Sequence, residues 1–297
     1  MPQPSLYQEE QHPSPMQYTW MEFKENHVAI AGLICFSFFL IITVFCPILA
    51  PFDPNMQQIT DILIPPAWDP NGGITHLFGT DALGRDLLSR IIYGCRMTFG
   101  ISLLLVLVAL LLGVGLGALA GMSRGIRSSF LNHTLDSIQA IPTLLIAIII
   151  IAILGTGLVN SMWAIALALI PQFVHQTRDF VRHELTKEYT QAAKLDGASK
   201  SYLFFRSILP NMGEMLVVQG TLAISVAILD ISALGFLKLG AQAPSSELGA
   251  MIIDSIEVAY LAPWTIAIPG CALILMMISI NLVGDGLRSA LRNRLLH

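Results

Sequence analysis

Two carboxylates, Glu214 and Asp230, stand 15 uncharged residues apart in a stretch otherwise apolar enough for a bilayer. Acids at such depth are costly and face protein or water instead of lipid, so both are candidates for the wall of a translocation path or for carrying protons. A helix-end anchor fits Glu214 better than Asp230. Groups suited to bond breaking do not assemble anywhere in the chain: it holds no G-x4-G-K-[ST] phosphate loop, no HExxH and no GxSxG. The seven histidines, His12, His27, His76, His133, His175, His183 and His297, are dispersed, and Cys35, Cys46, Cys95 and Cys271 form no CxxC pair. No catalytic residue, metal or cofactor is expected in this chain, and it should hydrolyse nothing alone.

The second chemically distinctive stretch runs from Glu188 to Asn211, after 41 residues (Ser137 to Thr177) without Lys, Arg, Asp or Glu. Val181, Leu185, Tyr189 and Ala192 recur at helical spacing, with Arg178, Arg182, Lys187 and Lys194 expected to point to water. Ala192 and Ala193 keep the last turn thin, and Gly197 suits a left-handed turn after Leu195 and Asp196. Ser199 caps a second short helix carrying Tyr202, Phe205, Ile208 and Leu209, which Pro210 is expected to end. Two short helices about a glycine form a surface that a partner could grip.

These residues must be held by membrane-spanning elements. The chain has 297 residues, 54% of them hydrophobic and 12% charged, with a mean hydropathy of +0.68; a soluble domain carries about a quarter charged residues. An all-α polytopic membrane protein with six transmembrane helices is therefore expected. No basic cluster with interleaved aromatics supports nucleic-acid binding. Residues 1–27 read as a tail ending in an interfacial helix around Trp20 and Phe23, and residues 28–49 as the first span. Residues 50–97 read as an external loop whose later part is an interfacial helix, with Asp86 paired to Arg90 and its charges anchoring it at the bilayer surface. Residues 98–291 form a core of five further spans containing the 178–211 segment, and 292–297 a tail. Within that core Gly113, Gly117 and Gly121 line one helix face for a close helix contact. Gly155-Thr156-Gly157 divides the 41-residue window into two spans, with Pro142 and Pro171 near their inner ends. Arg124, Arg127 and Asp136 mark the loop before them. Glu247, Asp254 and Glu257 flank an outer re-entrant or interfacial segment, and Trp264 begins the last span. Six spans place 12 of the 16 Lys and Arg on the side of the termini, which the positive-inside rule makes cytoplasmic.

Several segments resemble one family. Gln191-Ala192-Ala193, Gly197, Leu209 and Pro210 fall at the spacing of the EAA motif, E-A-A-x3-G-x9-I-x-L-P, of ABC importer permeases, with Gln191 in place of Glu and Ser207 in place of Ile. Gly79-Thr80-Asp81, Gly84-Arg85-Asp86 and Ser89-Arg90 resemble the G-T-D-x2-G-R-D-x2-S-R segment of the C-type permease of dipeptide and oligopeptide importers. The region around Ala233-Leu234-Gly235-Phe236 and the terminal Asn281, Gly284-Asp285-Gly286 and Leu287-Arg288 are also similar, and KEYTQAAKLDGAS is nearest the Sap subgroup, associated with antimicrobial-peptide uptake and resistance. The resemblance implies a bacterial inner-membrane permease with both termini cytoplasmic. It implies a homologous second permease, two cytoplasmic ATPase subunits that carry ATP and Mg, a periplasmic substrate-binding protein, and lipid as partners. Gln191, Ala192, Ala193, Asp196, Gly197, Leu209 and Pro210 would couple to an ATPase. Peptide is the implied cargo; nickel, haem or polyamine cargo, or a stand-alone proton-coupled transporter, are the alternatives.

Overall fold

The computed structural model describes residues 15–123 and 137–296, so Arg124, Arg127, Asp136, His12, His133 and His297 lie outside the described residues. Helix α1 (Pro15–Glu25) is followed at once by α2 (His27–Leu49). Asn26 makes the corner, its side-chain oxygen accepting hydrogen bonds from the backbone of Val28 and Ala29, both at 3.1 Å. A helix is thus present around Trp20 and Phe23, and Phe23 is buried in a small cluster with Ala29 and Ala290.

Helix α3 (Leu87–Cys95) runs through a π turn, Arg96–Gly100, into α4 (Ile101–Gly121), giving one continuous helical span, Leu87–Gly121. The helix expected there is therefore continuous with α4. Its charges are also not surface anchors: Asp81, Arg85, Asp86 and Arg90 are all buried. Asp86 does not pair with Arg90. It caps α3, accepting from Ser89 N at 2.7 Å and Ser89 Oγ at 2.6 Å, and its other oxygen meets His76 Nδ1 at 2.9 Å. Arg90 instead places Nε 3.5 Å from Asp81. Helix direction explains the difference, because a carboxylate at an N-cap is held by the free N–H groups of the first turn and is not available to a side chain four residues on.

Helices α5 (Thr143–Leu154) and α6 (Leu158–Glu184) form the expected hairpin, turning at Gly155 (φ +89°) and Gly157 (φ +138°). Five helices among the described residues are long and apolar enough to cross a membrane, and the 12-residue α5 is shorter. At 1.5 Å per residue α5 rises about 18 Å against a hydrocarbon core of about 30 Å. Pro142 sits at its N-cap, where a missing N–H and a restricted preceding residue stop the helix from extending backwards. Pro171 is not at a helix end but inside α6; its carbonyl accepts from Gln139 Nε2 at 3.3 Å.

The glycine strip of α4 lies directly on α6. A Cβ at Gly117 would sit 2.6 Å from that of Thr177, and one at Gly121 2.8 Å from that of Val181. Beyond α6 come α7 (Glu188–Leu195), a short second helix, α8 (Gly213–Phe236), α9 (Leu248–Asp254) and α10 (Trp264–Leu296). The last helix continues through the segment expected to be a tail. α8 is central: Ala227 and Ile231 join α4, α5 and α6 in one apolar core, while Ile228 joins Phe39, Phe99, Met276 and Ile280 in another. Glu247 fastens α9 to both halves. It is buried and accepts from Gly249 N at 2.9 Å, Ala250 N at 2.8 Å, Thr98 Oγ1 at 3.0 Å and Ser232 Oγ at 3.4 Å. It does not simply flank an interfacial segment.

Candidate functional site

The 188–211 segment folds as two helical pieces about a glycine. α6 ends at Glu184 and α7 begins at Glu188, so Val181 and Tyr189 belong to different helices; Val181 is buried and Tyr189 is exposed. Arg178 does not reach water. Its guanidinium is buried and donates to Asp179 Oδ1 from Nε at 3.0 Å and Nη2 at 2.8 Å.

The turn after α7 is a Schellman closure. Ala198 N donates to Ala193 O at 3.0 Å and Gly197 N to Lys194 O at 3.1 Å, with Gly197 at φ +86°. Ser199 Oγ then accepts from Tyr202 N at 3.2 Å, capping the helical turn Lys200–Tyr202, which continues as a π stretch Leu203–Ile208 and a 3-10 turn Leu209–Met212. Pro210 does not end the helix. It occupies the first turn of the 3-10 segment, where its missing N–H costs little, and the chain runs unbroken from Lys200 to Phe236.

Gln191, Ala192, Asp196, Gly197 and Pro210 are exposed, and Ala193 and Leu209 are half-buried. Gln191 folds back, Nε2 donating to Leu185 O at 3.0 Å. Around them Leu195 is 89% exposed, Phe205 66% and Tyr202 55%, while Leu203, Phe204, Ile208 and Met212 face inward. The inward face anchors the segment to the bundle, and the outward face leaves large apolar side chains in the open.

A polar knot that the spacing of residues did not reveal ties this segment to its neighbours. Glu184 is buried and accepts from Lys187 Nζ at 2.5 Å and from Tyr189 OH. Tyr189 OH in turn accepts from Asn211 Nδ2 at 3.0 Å. The end of α6, the first turn of α7 and the entry to α8 therefore share one network. Burial first, then the Glu184 hydrogen bond, pushes the Tyr189 phenol above its ordinary value. The Glu184 hydrogen bond also raises Lys187.

Glu214 and Asp230 are not brought together. Sixteen residues on one helix separate them by about 24 Å. Glu214 lines a cavity of about 510 Å³ with Phe180, Glu184, Asn211 and Arg288, at the end where α10 finishes. Asp230 is buried in the bundle, and its Oδ2 has no hydrogen-bond partner among the described residues.

Residues 113–297, which include the whole segment, match the family described as binding-protein-dependent transport system inner membrane component. The chain belongs to this family. Residues 14–66 of the inner-membrane component further match the N-terminal TM domain of oligopeptide transport permease C. It is 42% identical over 291 residues to the peptide transport system permease protein SapC of Escherichia coli, covering 98% of both chains. It is 42% identical over 284 residues to the di/tripeptide transport system permease protein DppC of Pseudomonas aeruginosa, covering 96% of this chain and 94% of the relative. Among solved structures, an inward facing conformation of the MetNI methionine ABC transporter shares the fold at a TM-score of 0.56 and 16% identity, over 69% of this chain and 97% of that one.

Proposed function

We propose that the chain is the permease subunit of an ATP-binding-cassette importer that moves peptides across the bacterial inner membrane. In this reading both termini and the 188–211 segment are cytoplasmic. The partners are a homologous second permease, two ATPase subunits holding ATP and Mg, and a periplasmic substrate-binding protein. The observation that carries the reading is the outward face of the 188–211 segment, with Leu195, Tyr202 and Phe205 exposed on a base held by the Glu184–Tyr189–Asn211 knot. Burying each such side chain in a groove gains about 1.5–3 kcal/mol, and the knot passes displacement of α7 to α6 and α8 together. Ala192, Ala193, Asp196 and Gly197 form the tip of the lever, and Leu209 and Pro210 its hinge into α8. Closure of the ATPase pair must favour one state of the bundle over the other, since a ligand indifferent to both shifts neither. Peptide cargo is supported by the relatives at 42% identity that are named for peptide and di/tripeptide transport. An antimicrobial-peptide role extends that reading to the Sap-like subset of cargoes.

The test is purification of the chain from native membranes after installing single cysteines at Leu195 and Phe205 and adding a short bifunctional crosslinker. A nucleotide-hydrolysing subunit should be captured at both positions, with a second permease co-eluting. Capture of neither, from membranes that transport peptide through the same system, removes the reading.

A further inference from the structure

A cavity of about 590 Å³ lies at the end of the bundle opposite the 188–211 segment, between the turn carrying Asp81 and Arg85 and the region of Lys238 to Glu257. Its walls mix apolar side chains, Leu83, Leu87, Met251, Ile253 and Ile256 among them, with charged ones in equal measure. A concave site that joins apolar surface to convergent charged groups can hold a small polar molecule.

The charges divide by depth. On the floor, Arg85 and Arg90 are 7% and 2% exposed and face one buried acid, Asp81. The Asp81 carboxylate is already occupied. Oδ1 accepts from Leu83 N at 2.9 Å and Arg85 N at 3.0 Å, and Oδ2 meets Nε of Arg85 at 2.7 Å and Nε of Arg90 at 3.5 Å. Both guanidiniums thus spend only their Nε edge on it. Arg90 Nη1 reaches Pro54 O at 3.5 Å, while the two terminal nitrogens of Arg85 have no protein acceptor among the described residues. At the mouth, Lys238, Asp254 and Glu257 are exposed. Among the residues that line the cavity, two arginines stand against Asp81 on the floor and two acids against Lys238 at the mouth, and Asp254 also acts on Arg90 across that distance. A planar guanidinium fork, buried and only partly neutralised, is the group that takes a carboxylate through two parallel hydrogen bonds.

We propose that this cavity binds short peptides by their free ends, with the terminal carboxylate on the Arg85 fork and the ammonium toward Asp254 and Glu257. Side chains of the peptide lie against the apolar walls. The proposal rests on the peptide reading above for its ligand class; the charge arrangement by itself calls for a small zwitterion.

The experiment uses the intact transport complex in lipid nanodiscs without its substrate-binding protein, and measures equilibrium binding of trialanine, trialanine amide and N-acetyl-trialanine by saturation-transfer NMR. Trialanine should bind at least about tenfold more tightly than its amide. Arg85→Gln should weaken trialanine to the level of the amide, and Arg85→Lys should restore part of the loss, as a point charge does for a fork. Glu257 is exposed, so Glu257→Gln leaves folding intact; it should weaken trialanine severalfold and leave N-acetyl-trialanine unchanged. If Arg85→Gln fails to assemble, the Glu257→Gln arm decides. Equal binding of acid and amide, or no binding of either, by a complex that transports trialanine with all its components overturns the site and leaves the peptide reading standing. A complex that assembles and transports no peptide removes the peptide reading itself.

Discussion

At the scale of single residues, Gly197 and Glu247 show how backbone and charge constraints differ. Gly197 has φ +86°, and a Cβ there would meet nothing within 4 Å. A side chain therefore costs only the left-handed backbone, about 1–2 kcal/mol for an L-residue and more for a β-branched one. Gly197→Val should leave the protein in the membrane and assembled but lower the peptide transported per ATP hydrolysed several-fold. Gly197→Asn, which tolerates that conformation, should retain most of the coupling. Equal coupling in Gly197→Val and the native protein would count against the lever. Glu247 is the opposite case, a buried acid with a full set of donors. Burial raises its pKa, against the lowering effect of its backbone and hydroxyl donors. With the folded value raised, the folded state binds the proton more tightly than the unfolded chain. The stabilising share is thus complete below the unfolded pKa of about 4.5 and is lost as pH rises through the folded value. Glu247→Gln puts in its place a neutral amide that does not titrate, so its stability carries no such pH dependence. The melting temperature of the native protein relative to Glu247→Gln should be highest at low pH and fall as pH rises, which thermal melts across that range would read.

At the scale of elements, the contact between α4 and α6 depends on what is absent from one face. Gly117 and Gly121 admit the side chains of Thr177 and Val181, whereas Gly115 on the same helix meets nothing within 4 Å. Packing between spans gains little from water exclusion, so close approach supplies the attraction. Gly117→Val should lower the melting temperature of the detergent-solubilised protein by several degrees, and Gly115→Ala should leave it unchanged or raise it slightly. The reverse order would exclude the strip as the contact. The Glu184–Tyr189–Asn211 knot acts at the same scale. Tyr189→Phe deletes one hydroxyl and both of its bonds, leaving a buried carboxylate short of a donor at about 1–3 kcal/mol. Amide exchange in α7 should accelerate in that variant while exchange in α4 stays unchanged.

At the scale of the whole molecule, α8 is the shared wall of two apolar cores, and α1 meets the last turns of α10 on one side of the bundle. α1 returns to α10, where Phe23 packs near Ala290 and Asn293 Nδ2 donates to Glu22 Oε2 at 3.1 Å. Removing residues 1–25 should cost about 2–3 kcal/mol of stability from the loss of Phe23 burial, with the partners still bound; loss of assembly in that truncation would assign α1 a part in the interface. Asp230 is enclosed by this arrangement, so a path through the bundle reaches it only if the helices around it move apart.

Periodicity, charge gaps and turn chemistry are local, and from them the helical spans, the hairpin at Gly155–Gly157, the glycine contact face and the helix–Gly197–helix segment follow from the sequence alone. The partners of charged side chains do not, because a carboxylate bonds whichever donors the fold delivers first. Asp86 is taken by the N-terminus of α3, Arg90 by Asp81, and Glu184 by a tyrosine and a lysine across the break between α6 and α7, where spacing had read one continuous helix. The passage through Pro210 was likewise decided by tertiary structure, since neighbouring helices and 3-10 or π turns satisfy backbone groups that a single stretch of sequence leaves open.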